Sequence, residues 1–193
     1  MKIVINLVLL LISAGIAYLI AMNIKEPIAF DQALKTRQGA VVKQLEKIRT
    51  SQEIYKKITG EYASNFDTLQ TVLKNSDIEL YKIIGDLDDE SSTAEIETLY
   101  VKALDSLRSL KINVDSLTYV PYGDPGAGFS IKADTLTYQN TLVNVVEVGI
   151  KYKDFMDKYA DSRYKKYDRF YDPNAMLKFG DLNSPNTAGN WKQ

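Results

Sequence analysis

The sequence contains no cysteine and no histidine. The first absence excludes disulfides, a thiol nucleophile and any thiolate metal site. The second removes the usual general base, the commonest metal ligand and the side chain that changes charge near neutral pH. Charge of one sign is lacking too. Basic side chains number 24 and acidic ones 25, so no global field draws the chain to nucleic acid. Proline is scarce, at five residues in 193, so the places where it falls carry information. What is present is ordinary for a globular protein: hydrophobic residues make up 45%, which argues against wholesale disorder. A cysteine-free chain fits a bacterial domain that folds outside the cytoplasm without an oxidant.

The strongest single feature is the run Ile3 to Met22, IVINLVLLLISAGIAYLIAM, which carries no charge. As a helix its twenty residues span roughly 30 Å, the hydrocarbon thickness of a bilayer. Tyr18 lies near one end, where an aromatic ring suits the interface. A cleaved signal peptide is the competing reading, since Gly15-Ile16-Ala17 is a passable small-x-small site. The apolar run continues past it to Met22, which favours a retained anchor in the lipid bilayer. Lys25, Lys35, Arg37 and Lys43 follow the span, and counting alone would put that side in the cytoplasm. Long soluble domains cross regardless of such charges, so the expectation is a bacterial inner-membrane protein with its C-terminal domain in the periplasm or outside. The span contains no ionisable residue, which speaks against proton conduction. Ser13, Ala14, Gly15 and Ala17 offer a small-residue patch for a partner helix.

Pro27 is expected to end or kink the membrane helix just past the surface. Asp31 then caps a long helix that runs to about Thr59, with Gly60 as its stop. Within it Leu34, Val41, Ile48 and Tyr55 recur every seven residues, while the column three residues earlier reads Asp31, Gln38, Leu45 and Gln52. One apolar column and one mostly polar column support two readings. The helix lies against its own domain, or it pairs with another subunit, with Gln38 and Gln52 fixing the register. Gly39, costly in a helix, tips the reading toward close packing on something.

Two resemblances arise along this stretch. Ile48-Arg49-Thr50-Ser51-Gln52-Glu53-Ile54-Tyr55, followed by Gly60-Glu61-Tyr62-Ala63 and Phe66-Asp67-Thr68-Leu69, resembles the junction of helix and globular part in type IV pilins and pseudopilins. The chain departs from that family in having no prepilin-peptidase site. The same stretch resembles a family of single-pass membrane proteins of Bacteroidota, together with Glu26-Pro27-Ile28-Ala29-Phe30, Leu117-Thr118-Tyr119-Val120-Pro121-Tyr122 and Ala188-Gly189-Asn190-Trp191. That resemblance implies a cell-envelope setting and transfers no catalytic residue.

Ser64 with Asp67 predicts a capped short helix from Asn65 to Lys74. Beyond Asn75 the pattern turns strand-like, with expected strands at Ile78 to Leu87, Glu97 to Leu104, Ser116 to Tyr122, Phe129 to Ala133 and Leu142 to Tyr152. Gly123 to Gly128 reads as a turn between two of them, and Asp86 to Ser92 as an acidic surface loop. Asp105-Ser106-Leu107, Asp115-Ser116-Leu117 and Asp134-Thr135-Leu136 read as turn-and-strand starts, and a helix is expected from Lys153 to Tyr167. The predicted fold class is α+β: an N-terminal transmembrane helix, a long amphipathic stalk helix, then a small, mainly antiparallel β domain with a C-terminal helix. The expected divisions are an anchor over 1–24, a stalk over 25–60, a domain over 61–172 and an irregular tail over 173–193.

No constellation points to catalysis, a metal or a cofactor. The acidic residues around 79–90 lack the glycine and terminal glutamate of a calcium loop, and no GK[ST] follows Gly128. The oddest local composition is Tyr152 to Tyr171, where tyrosines interleave with lysines and arginines. Asp154, Asp157, Asp161, Asp168 and the adjoining Asp172 nearly cancel the charge, so nucleic acid is not the expected ligand. Helical spacing places Phe155, Tyr159 and Tyr152 on one face, a packing or protein-contact face. The sequence-level expectation is therefore a non-enzymatic, membrane-anchored scaffold subunit of a secretion, pilus-like, motility or division complex. Its partners are other membrane or envelope proteins, and its contact residues are Leu34, Val41, Leu45, Ile48, Tyr55, Phe155 and Tyr159. A pilin-like polymerising subunit and a membrane-tethered glycan- or peptide-binding module are the alternatives.

Overall fold

The structure is a computed structural model and describes residues 2–84 and 95–191. The acidic loop expected at Asp86 to Ser92 lies outside the described residues. A single helix, α1 (Lys2–Thr59), occupies the first third of the chain and is about 87 Å long at 1.5 Å per residue. Next come α2 (Phe66–Asn75), the strands β1 (Asp77–Ile84) and β2 (Glu95–Lys102), and α3 (Ala103–Ser109). They are followed by β3 (Ser130–Tyr138), β4 (Thr141–Lys151), the one-turn α4 (Lys153–Met156) and β5 (Met176–Gly180). The fold is mixed α+β, as the sequence predicts.

The two halves of α1 differ completely. From Ile3 to Ile20 every side chain is exposed, and no other part of the described residues covers it. It is the one helix among the described residues long and apolar enough to cross a membrane. From Phe30 onward the helix is the spine of the domain. Phe30, Val41, Leu45, Ile48 and Tyr55 are buried in one core with Leu69 and Leu73 of α2 and Leu107 of α3. Gly60 ends the helix as expected: its φ is +86°, which favours glycine, and its N–H donates to the Lys56 carbonyl at 2.8 Å.

Pro27 does not end the helix. It leaves the Asn23 carbonyl without its helical donor, but that position is exposed to solvent. The flanking turns are held from outside, by Tyr167 on Glu26 and by an aromatic cluster on Phe30. Asp31, expected as a cap, is a mid-helix residue paired with Lys35 at 2.8 Å. The cap of α2 falls on Asn65, one residue after the serine expected: its side-chain oxygen accepts the Thr68 N–H at 2.8 Å.

Strands β3, β4 and β5 form an antiparallel sheet in that order. Its register puts Ile131, Ala133, Val146, Val148, Ile150, Leu177 and Phe179 on one face; the last five belong to the core and the first two pack against it. Glu147 and Lys178 pair on the opposite face. Gln139 and Asn140, with φ of 47° and 64°, close the β3–β4 hairpin in two residues of left-handed backbone. At Gly180 (φ 78°) a Cβ would run into the Val146 carbonyl, so only glycine lets β5 finish this close to β4.

Four expectations are corrected here. The tail is not irregular: residues 176–180 supply the third strand, Phe179 bridges to Gly189, and Trp191 packs against the core. The stretch from Ser116 to Tyr122 is not a strand but a 3₁₀ turn (Val114–Ser116) and loop, so Gly123 to Gly128 does not join two strands. The aspartate-led triplets do not start strands: Asp105 lies in α3, Asp115 in the 3₁₀ turn and Asp134 in the middle of β3. The helix expected over Lys153 to Tyr167 breaks into α4 and two 3₁₀ turns, Asp157–Tyr159 and Ser162–Lys166. Asp157 sits at φ 52° and interrupts the helical path. A straight helix would scatter Tyr159, Tyr164 and Tyr167 around its circumference at 100° per residue; the broken path brings all three to the same ring.

Candidate interaction surfaces

The residues singled out along the stalk go to the chain's own interior. Val41, Leu45 and Ile48 are fully buried, Tyr55 nearly so, and Leu34 is half-buried against the same cluster. Phe155 and Tyr159 are buried as well. They do share one cluster, with Tyr152 5.3 Å from Phe155 between ring centroids, though not as a helix face. In this fold the side chains of the apolar column pack within the chain, which is the first of the two readings of that column.

The buried glutamines of the stalk do a job the heptad pattern hides. Gln52 is fully buried, and its amide brackets Ala63, donating to the carbonyl and accepting from the N–H at 2.9 Å each. The segment leaving α1 is thereby tied back to it, with both buried backbone groups satisfied. Gln44 donates to the Ser116 carbonyl at 2.6 Å and holds the 3₁₀ turn in the same way. Sequence reasoning assigned Gln52 to register between helices; the signal available was its place beside the apolar column.

Around Phe30 the chain builds an aromatic clamp. Tyr164 stacks on its ring at 5.2 Å with planes 7° apart. Tyr171 and Tyr159 meet it edge-on at 5.1 and 5.7 Å, and Tyr167 lies at 6.1 Å. Each such contact contributes about 0.5–1.5 kcal/mol beyond the area it buries. The Tyr171 hydroxyl donates to the Tyr159 carbonyl at 2.7 Å. Burial pushes the Tyr171 phenol up to about 12 and raises Tyr152 as well, so these rings stay neutral and serve as packing, not as acids or nucleophiles. Tyr167 also donates a short hydrogen bond to the Glu26 carboxylate, with Lys166 3.6 Å from the same group. The Tyr167 bond, with Lys166 and Arg163 nearby, holds the Glu26 carboxyl below its usual range. Phe30 went unnoticed as a site in the sequence, yet it continues the stripe of Leu34, Val41, Leu45 and Ile48 one turn toward the N-terminus.

The second surface is the β1–β2 hairpin, which forms a sheet of its own. Its base is seated: Ile78 is buried and the Ala103 N–H donates to the Ser76 carbonyl at 3.1 Å. Beyond the base it stands clear of the domain. Leu80 pairs with Leu99 on one face, while Tyr81 and Tyr100 lie on the other, each tyrosine 66% exposed. Tyr81 donates to Glu79 at 3.1 Å, and that bond, followed by the charge on Glu79, raises its phenol. A lone two-stranded ribbon is marginal in water, and this one exposes apolar side chains on both faces.

Among the described residues no three acidic side chains converge as a metal site would require. No family model, curated protein or solved structure matches the chain.

Proposed function

We propose that this protein is a non-catalytic, membrane-anchored structural subunit of a bacterial cell-envelope assembly, held by residues 3–22 with its domain on the outer side of the inner membrane. The observation that carries this reading is the continuity of α1. One helix is an exposed apolar rod over its first third and the spine of the domain core over its second half. A domain built this way is fixed rigidly to its anchor, and the glutamine ties and the clamp prevent it from swinging. A free enzyme has no use for such stiffness; a spacer or scaffold does. The projecting hairpin agrees with a role in contacts between proteins, since Leu80, Leu99, Tyr81 and Tyr100 are all exposed on one small ribbon.

The test is in-cell photo-crosslinking from Tyr81 and Tyr100, with Lys132 on the three-stranded sheet as the control position, followed by purification in detergent. Adducts confined to the hairpin and one stoichiometric membrane complex are expected. A chain recovered alone, with no adduct from the hairpin, overturns the reading.

A second reading, a pilin-like polymerising subunit, is favoured by one specific observation. A long N-terminal helix whose distal half lies in the core beneath an antiparallel sheet is the layout implied by the resemblance at Ile48 to Leu69. Sheared extracellular filaments made of this chain alone would establish it, and their absence from surface preparations would remove it.

A further inference from the structure

Near-neutrality of the Tyr152–Asp172 segment holds only along the sequence. In the fold its charges are sorted by height along α1. Asp157 faces Arg37 at 3.6 Å, eleven residues beyond Glu26 and so about 16 Å farther from the anchor along the helix axis. The Asp154 backbone lies against the glycine-rich loop, its main-chain carbonyl accepting the Asp124 N–H at 3.0 Å, while the Asp172 carboxylate is taken by Lys165 at 3.5 Å. At the anchor end the balance is different. Lys25, Glu26, Ala29, Lys158, Tyr159 and Tyr164 line an open cleft of about 340 Å³. Lys166 is on its rim beside Glu26, and Arg163 is close enough to feel the same carboxylate. Lys25, Lys158, Arg163 and Lys166 thus gather at this cleft, with Arg169 on the adjoining turn. Besides Glu26, two acids lie at this end: Asp161, which accepts the Arg163 N–H at 2.8 Å, and Asp168, which accepts the Phe170 N–H at 2.9 Å. Five cations therefore face three carboxylates.

Depth decides what this cluster meets. The headgroup layer adds roughly 5–7 Å to each side of the hydrocarbon core. Glu26 is four residues past Met22, about 6 Å along the axis, so Tyr167 and Lys166, both on Glu26, lie within that layer. On the turn between Tyr167 and Tyr171, both of which grip the helix at 26–30, Phe170 stands 80% exposed with the Arg169 guanidinium 4.6 Å from its ring. An exposed phenylalanine beside a guanidinium suits a membrane interface, where the ring enters the acyl boundary and the charge meets phosphates.

We infer that the Lys25–Lys158–Arg163–Lys166 cluster, with Phe170, is a collar that seats the domain on the anionic phospholipid headgroups around its own anchor. This rests on the anchor reading above. The tilt of the domain is then set by lipid composition as well as by the helix.

The whole chain, reconstituted in nanodiscs of phosphatidylcholine or of an equimolar mixture with phosphatidylglycerol, tests it by amide hydrogen exchange. Residues 158–171 should exchange about threefold to tenfold more slowly in the anionic discs, with core amides of 41–55 unchanged. The double variant Lys158→Glu, Arg163→Glu should erase the difference and Lys132→Glu should keep it. The core amides report whether the double variant is folded, and the comparison of the two lipids in the unaltered chain stands without it. Equal protection in both lipids, in chain that resists alkaline extraction, overturns the collar and leaves the anchor intact. Chain that alkali extracts overturns the anchor reading and the collar with it.

Discussion

The two halves of α1 differ in how much apolar side chain they carry and are put to opposite uses. Residues 3–20 are apolar all round and no other described residue covers them. From Phe30 to Tyr55 apolar residues keep to one stripe, and the domain covers most of that stripe. An apolar surface without a stripe needs a solvent that is itself apolar on every side; a stripe needs only a partner on one side. On the proposed reading the same backbone hydrogen bonding serves two solvents, a bilayer and a protein core. The crossing between them, at Glu26 to Phe30, is where the chain invests its largest aromatic cluster. That placement makes mechanical sense, because a continuous helix with Pro27 in its middle would otherwise be weakest there.

The sharpest way to break the comparison is to put a charge in each half. Ile48→Asp buries a carboxylate in the core and should cost at least about 4 kcal/mol, read as loss of the cooperative melt in detergent. Leu11→Asp should shift that melt by less than about 0.5 kcal/mol yet increase extraction from membranes by alkali. Equal effects on melting would mean that the two halves are not divided as described. A middle-sized effect belongs to the tie that makes the buried half a spine. Gln52→Ala strands the Ala63 N–H and carbonyl and should destabilise the domain by about 2–3 kcal/mol, measured by chemical denaturation. The smallest effect sharpens the comparison at the exposed side of the spine. A Cβ at Gly39 would meet nothing within 4 Å, so Gly39→Ala should stabilise by about 1 kcal/mol and raise Tm a few degrees. If the variant melts higher but recovers less of its complex, the glycine is kept for a neighbour in the assembly.

Legibility followed the length of the pattern. The apolar run at 3–22, the stripe at 34–55, the stop at Gly60 and the position of β4 could all be read from the chain, because each repeats a local signal over many residues or needs a special residue. Strand β5 could not: its inward residues are only Leu177 and Phe179, and a strand that short exists because β4 offers it an edge. The Lys153–Tyr167 segment carries a helical composition that lost to the demand of Phe30 for four tyrosines around one ring. Gln52 read as a register residue between helices and Gln44 carried no signal, because their partners, the backbones of Ala63 and Ser116, are not visible in a helical wheel.

The sequence by itself determined that there is one long apolar helix, a mixed α+β domain behind it, and no histidine or cysteine with which to build ordinary active-site chemistry. Those are properties of composition and period, and they hold however the chain is packed. Only the tertiary structure decided that the apolar run and the stalk are one unbroken helix, that the apolar column is packed in the chain's own core, and that cations of the Tyr152–Asp172 segment gather beside residues 25–29, next to the apolar run. Each of these depends on which side chains from distant parts of the chain meet, and proximity in space is the quantity a linear pattern does not contain.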